Sequence, residues 1–164
     1  MNCNILTVSL LYIHNKQGGK AMTTVNQVLK NKSSNEVATI SPYETVLAAI
    51  SLMANKGIGA VVVVEEQKVV GILSERDYTR KIALLERRSE DTTVAEIMTA
   101  KVITIPGSYT VEQCLELMTD KHLRHLPVVE NDQLKGLVSI GDLVKATMED
   151  QKVLIQQLQQ YISG

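Results

Sequence analysis

The chain has 164 residues, 45% of them apolar but only 3% aromatic, and a formal net charge of −1. That length suits one domain with an aliphatic core of Val, Ile, Leu and Met, and the near-neutral balance excludes a global attraction to nucleic acid or to a membrane surface. Two cysteines, Cys3 and Cys114, are too few and too far apart for a disulfide framework or a four-ligand zinc site, which fits a reducing, cytoplasmic compartment.

Residues 1–21 contain an apolar run, Ile5 to Ile13, shorter than the roughly 20 residues a membrane helix needs. It also lacks the basic residues that precede a signal-peptide core, so no anchor is read there. The run passes into Asn15-Lys16-Gln17-Gly18-Gly19-Lys20, which has linker composition. The leader is expected to be disordered, with Met22 as an alternative start. A short helical lead-in, Val25 to Leu29, then opens the unit 22–86, and the apolar segment Val37 to Ile40 reads as a strand. Val46, Ala49, Ile50 and Met53 recur at i, i+3, i+4 and i+7, the spacing of one helical face, which should cover a sheet. Two β-branched runs, Ala60 to Val64 and Val69 to Leu73, flank the polar Glu65-Glu66-Gln67-Lys68 and read as a hairpin. A helix closes the unit after Ser74.

The charged, turn-rich stretch Glu86 to Thr93 separates this unit from the next, with 87–93 as the linker and Arg87 and Arg88 as solvated charges. The unit 94–148 repeats the order. It has a lead-in at Val94 to Met98, a strand at Val102 to Ile105, and a helix facing inward with Val111, Cys114, Leu115 and Met118. A hairpin of Leu126 to Val129 and Leu134 to Val138 follows, then a helix after Ser139. Residues 149–164 complete the chain. Between Met148 and Ile162, the side chains of Leu154, Leu158, Tyr161 and Ile162 share one face opposite glutamines, an amphipathic helix. It reads equally as an intramolecular cap or as a surface for another subunit.

Shifted by 65 positions, Val37–Ile82 overlies Val102–Thr147 without a gap, with identical residues at 14 of 46 positions. Such self-similarity outranks other sequence signals, and two copies are too few for a solenoid or propeller. The expected product is an α/β (α+β) domain of two β-α-β-β-α halves packed about a pseudo-twofold axis, each a small mixed sheet with helices on one face.

The chemistry concentrates where the last strand meets the last helix. There the copies read Gly71-Ile72-Leu73-Ser74-Glu75-Arg76-Asp77 and Gly136-Leu137-Val138-Ser139-Ile140-Gly141-Asp142, a shared G-x-x-S-x-x-D. A helix N-terminus offers unpaired N–H groups and a positive dipole end suited to phosphate, and an ionised Asp accepts both hydroxyls of a ribose. The same spacing is also a helix capping box, which any helix uses regardless of ligand. Both readings stand at this point. Asp77 can in addition pair with Lys81.

The duplicated unit, the G-x-x-S-x-x-D endings and the segment Arg124-His125-Leu126-Pro127-Val128-Val129 resemble a tandem cystathionine-β-synthase (CBS) domain pair over about Thr24 to Thr147. Ser74-Glu75-Arg76-Asp77-Tyr78 followed by Arg80-Lys81 is similar to small stand-alone proteins of that kind. The resemblance implies a Bateman module whose halves pack sheet to sheet and leave two clefts for adenosine compounds such as AMP, ADP, ATP, NAD(H) or S-adenosylmethionine. By the same resemblance, Asp77 and Asp142 hold ribose hydroxyls, and Ser74 and Ser139 reach sugar or phosphate. Ala38, Ile58 and Gly59 enclose the base in one cleft, and Thr99, Lys101, Ile103, Leu123 and Arg124 do so in the other. For Ala38, Ile58, Ile103 and Leu123, ordinary strand packing is an equal alternative.

Arg76 and Arg80 lie four apart on one helical face at the first site, and Arg124 and His125 are expected beside the second. These charges are expected to cluster between the sites and serve one diphosphate or one preferred cleft. The chain shows no nucleophile–base constellation, metal-ligand spacing, P-loop or dinucleotide-fold glycine pattern, so no catalytic residue, metal or catalytic cofactor is assigned. His125 is a candidate to titrate near neutral pH. The expected protein is a non-enzymatic nucleotide sensor, homodimeric through the Ala49/Ile50 and Cys114/Leu115 faces unless those faces are internal core. It would signal to an enzyme or transporter, without nucleic acid or membrane. The alternative is a ligand-independent scaffold docking through the terminal helix.

Overall fold

The computed structural model describes residues 22–32 and 36–163, and the sequence reading of the leader lies outside them. In chain order the elements are α1 (Val25–Lys30), β1 (Thr39–Ile40), α2 (Val46–Lys56), β2 (Ala60–Glu65), β3 (Lys68–Ser74) and α3 (Glu75–Lys81). After a short 3₁₀ turn come α4 (Val94–Ile97), α5 (Val111–Lys121), β4 (His125–Glu130), β5 (Gln133–Ser139) and α6 (Ile140–Ser163). The helices begin where side-chain caps stand. Thr45 accepts from the N–H of Ala48, and Thr110 from that of Gln113. Both hairpins close on two residues in the left-handed region, Glu66-Gln67 and Asn131-Asp132, which matches the twist of the antiparallel strands. The α2 helix ends on left-handed Gly57, as expected where only glycine escapes the Cβ clash, whereas α5 ends on His122 in the same conformation.

The first strand of each copy is shorter than its apolar segment suggests. β1 pairs in parallel with β2 over Thr39 and Ile40 alone, and in copy two only Ile105 bridges, to Val128. The reason lies in the partner strand. Val62 donates its N–H to the carbonyl of Ala38, but its counterpart is Pro127, which has no N–H to offer Ile103. The bond from Ile105 N–H to Pro127 O survives, because it needs only a carbonyl.

The lead-in helices cross over. Val25 and Val28 of α1 are buried in the core of the second copy with Ile105, Val111, Cys114, Met118, Leu126, Val128, Val138 and Leu143. Val94 and Ile97 of α4 are buried in the first, with Val46, Ala49, Met53, Val61, Val63, Leu73 and Ile82. Backbone bonds seal both exchanges. Val25 N–H donates to Tyr109 O and Asn26 N–H to Gly107 O, while Val94 N–H donates to Glu44 O and Ala95 N–H to Pro42 O. The packing unit therefore differs from the continuous stretches 22–86 and 94–148, since each takes its first helix from the other. Two glycines give room to side chains that the crossing lead-ins carry. A Cβ on Gly71 would stand 2.4 Å from Met98 Sδ, and one on Gly136 would stand 2.5 Å from Leu29 Cδ1.

Of the two helix faces named for a second subunit, Ala49 and Cys114 are fully buried in their own cores, while Ile50 and Leu115 beside them are half-buried. Burial also pushes the Cys114 thiol up to about 11, with Glu112 adding to it, so it stays protonated as a small core group. The closing helix and the terminal helix are one continuous 24-residue α6 rather than two elements. Thr23 Oγ1 donates to Asp150 Oδ2, but beyond that point Leu158, Tyr161 and Ile162 are 55%, 92% and 86% exposed, so the end of α6 does not cap its own domain.

Candidate functional site

β3 and β5 meet at the centre of the molecule, and a cleft opens on either side of them. The first, of about 520 Å³, gathers Ser74, Arg76, Asp77 and Arg80 from copy one with Leu123, Arg124 and His125 from copy two, and Thr99 from the exchanged lead-in. The second, of about 510 Å³, gathers Ser139 and Asp142 from copy two with Ala38, Ile58 and Gly59 from copy one, and Leu29 and Lys32 from the other lead-in. Each cleft thus takes its carboxylate from one copy and its opposite wall from the other. Gly59 and His125 line both. Arg124 belongs with Asp77 rather than beside the second site, because the start of β4 faces the end of β3 across the pseudo-twofold axis. Lys101 and Ile103 line neither cleft. Both are exposed, which follows from the unpaired strand preceding Ile105.

At each carboxylate the capping-box reading holds. Asp77 Oδ2 accepts from the Ser74 hydroxyl at 2.6 Å and its N–H at 3.1 Å, while Asp77 N–H donates to Ser74 Oγ at 3.3 Å. Asp142 Oδ2 accepts from the Ser139 hydroxyl at 2.8 Å and its N–H at 2.7 Å. The N–H of Glu75 is taken by Gly59 O, and that of Ile140 by Arg124 O. The helix starts therefore offer less open backbone to a phosphate than the sequence suggests. Both acids fold back on their own turns, yet each still borders a hollow within the volume range of small-molecule sites. The cap uses a single oxygen of each carboxylate. Asp77 Oδ1 meets Lys81 Nζ at 3.0 Å, the pair anticipated from their spacing, and every described bond to Asp142 falls on Oδ2.

The two clefts differ in charge. Arg76, Arg80 and Arg124 share the first cleft, and no ion pair among the described residues engages any of them. In the second, the corresponding start of β2 carries only Gly59 and Ala60. Its two lysines are already partnered, Lys32 with Asp142 at 2.8 Å and Lys56 with Glu36 at 3.6 Å. Lys32 also donates to Leu137 O at 3.0 Å. No sequence argument singled out this residue. Partial burial pushes the Asp142 carboxyl up, but Lys32 and the Ser139 N–H and hydroxyl outweigh it and hold the group below the usual carboxylate value.

Burial pushes the His125 imidazole below its ordinary value, against Asp142, while Arg124 and Lys32 push the same way and Glu75 opposes. Its protonation is thus disfavoured by folding, so the unfolded chain binds the proton more readily. The stability this contributes is present above the ordinary histidine value near 6.5 and is lost as pH falls below it. The fall in melting temperature between about pH 7.5 and pH 5.5 should accordingly be smaller in His125→Gln than in the unaltered protein. Equal falls in both, measured by differential scanning calorimetry, would remove His125 from this role.

Among the described residues no cluster of three metal-ligating side chains occurs, and no helix is long and apolar enough to cross a membrane. A family model described as CBS domain matches residues 25–84 and again 94–149. The chain is 37% identical over 157 residues to the CBS domain-containing protein CBSX3, mitochondrial, of Arabidopsis thaliana, covering 91% of this chain and 76% of that one. Among solved structures, one of a protein with CBS domains from Burkholderia ambifaria superposes with a TM-score of 0.75 at 50% identity, covering 79% of this chain and 96% of that one. A CBS-domain containing protein from Agrobacterium tumefaciens gives 0.72 at 36% identity, covering 76% and 99%.

Proposed function

Since the chain belongs to the CBS domain family as a tandem pair of its repeats, we propose that it is a regulatory module that binds an adenosine nucleotide, AMP, ADP, ATP or NAD(H), chiefly in the cleft of Asp77. The observation that carries this reading is the convergence of Arg76, Arg80 and Arg124, none in a described ion pair, on one cleft beside a ribose-competent carboxylate. Three guanidinium groups lining one cleft offer an anion direct charged hydrogen bonds from both copies. In this pose the sugar hydroxyls meet Asp77, the phosphates face Arg76, Arg80 and Arg124, and the base lies against Leu123 and Ile72. Binding draws together residues of both copies, so ligand favours one arrangement of the halves over another, and only such unequal affinity can carry a signal.

Thermal-shift titration tests the reading. AMP at about a hundred times its dissociation constant should stabilise the protein by about 2.7 kcal/mol, a rise of several degrees in Tm. If AMP, ADP, ATP and NAD all leave Tm unchanged, the nucleotide reading falls. The bare end of α6 favours a second role, docking onto a partner through Leu154, Leu158 and Tyr161. The two are separable, because docking of that kind depends on α6 and is indifferent to Asp77.

A further inference from the structure

We infer that Lys32 is a built-in plug for the second cleft, occupying the seat beside Asp142 and making the two clefts unequal in their order of filling. This rests on the nucleotide reading of the clefts and deepens it by naming what separates the two sites.

The inequality begins in the sequence. In copy one the ribose-side acid Asp77 is held by Lys81, four residues on along its own helix. Lys81 is not part of the cleft lining, and its ammonium also donates to Ile97 O at 2.6 Å, so it grips Asp77 from behind. The position matching Lys81 in copy two is Ala146, so α6 cannot hold Asp142 in this way. The cation comes instead from the crossed-over lead-in. Lys32 lies just past the end of α1 and lines the second cleft itself, reaching Asp142 Oδ2 at 2.8 Å and Leu137 O at 3.0 Å. Aligning the two lead-ins through Val25 and Val94 places Lys101 opposite Lys32, and Lys101 is exposed and lines neither cleft. The two hollows are nearly equal in volume, about 520 and 510 Å³, but only in the second does the ammonium that holds the acid line the cleft, bonded also to the neighbouring β5 carbonyl.

A ribose held through both carboxylate oxygens of Asp142 has to take Oδ2 from that ammonium and from the Ser139 hydroxyl and N–H, whereas Oδ1 carries no described bond. Displacement exposes Leu137 O and costs the ion pair, so the second cleft fills later than the first. Its filling also releases the end of α1, whose Val25 and Val28 sit in the core of copy two. Occupancy of the second cleft is thereby coupled to the lead-in that ties the halves together.

The test is calorimetric titration of the full chain with AMP, with adenosine in parallel, on the unaltered protein, Lys32→Met and Lys32→Gln. Methionine keeps the aliphatic stem without the ammonium, and glutamine keeps polarity, so one of the two serves if the other fails to fold. The unaltered protein should show a tight event that Asp77→Ala weakens and a second event at least tenfold weaker. Both Lys32 variants should strengthen the second event at least tenfold for AMP and adenosine alike, leave the first unchanged, and lose the gain when combined with Asp142→Ala. A second event that stays the same or weakens in the variants, with the Asp77-dependent event intact, overturns the plug and leaves the nucleotide reading standing. If no protein binds AMP at all, the nucleotide reading itself fails and the plug falls with it.

Discussion

Val25→Asp destabilises the second repeat by about 4 kcal/mol or more while leaving the first largely protected, although the substituted residue precedes the first repeat in the chain. Val25 is 0% exposed, packed with Ile105, Val111, Leu126 and Val138, and its N–H is spent on Tyr109 O. A carboxylate there loses its hydration with no cation in that core to compensate. Native-state hydrogen exchange reads the outcome. The amides of β4 and β5 should lose protection first, and those of β2 and β3 should keep theirs. Val94→Asp is the mirror control, because Val94 lies in the core of the first repeat and should expose β2 and β3 instead. The milder Val25→Ala, costing about 2 kcal/mol, serves if the aspartate variant does not fold. If Val25 substitution opened β2–β3 in preference to β4–β5, the exchange of lead-ins would be wrong.

Asp77→Ala should weaken nucleotide binding at the first cleft by ten- to a hundredfold, since a charged hydrogen bond contributes about 1.5–3 kcal/mol. The structure adds a complication that shapes the control. Asp77 is also the reciprocal half of the α3 capping box, so its removal costs about 1 kcal/mol of stability whatever it binds. Asp77→Asn separates the two effects. The amide oxygen can still accept from Ser74 and so keeps much of the cap, but the charge that grips two hydroxyls is gone. Calorimetric titration with AMP should therefore show a loss in both variants, with melting temperature falling mainly in the alanine one. Arg124→Ala should weaken AMP binding at this same cleft and spare adenosine. Identical isotherms for the unaltered protein and both Asp77 variants would end the ribose assignment.

Much of this architecture could be read from periodicity. The i, i+3, i+4, i+7 faces of α2 and α5 are the buried ones, the hairpins turn at the polar four-residue breaks, and the 65-residue offset aligns the two hairpins strand for strand. The capping of α3 by Ser74 and Asp77, and the pairing of Asp77 with Lys81, also follow from spacing, because both are local along the chain. What escaped depends on partners distant in sequence. Nothing in Val25 to Lys30 says which core it will enter, and that crossing decides which lead-in faces which acid. It brought Lys32 to Asp142, while the packing of β3 against β5 set Arg124 in the cleft of Asp77. A signal for Lys32 did exist, in the alignment of the two lead-ins against the absence of a lysine at Ala146. The missing strand at Ile103 likewise needed two facts together, that Pro127 lies opposite it and that proline cannot donate.

The traded lead-ins bear on how such a molecule could arise. A single unit of this design sends its opening helix away from its own sheet, so on its own it would leave one hollow unfilled and one helix bare. Two separate copies would complete each other by reciprocal insertion, the symmetric arrangement that self-association favours. Joining them end to end turns that encounter into an intramolecular one, with the reach of the 87–93 connection setting the effective concentration. The tandem then behaves as a dimer held in one polypeptide, in which each half needs the other's lead-in to complete its core.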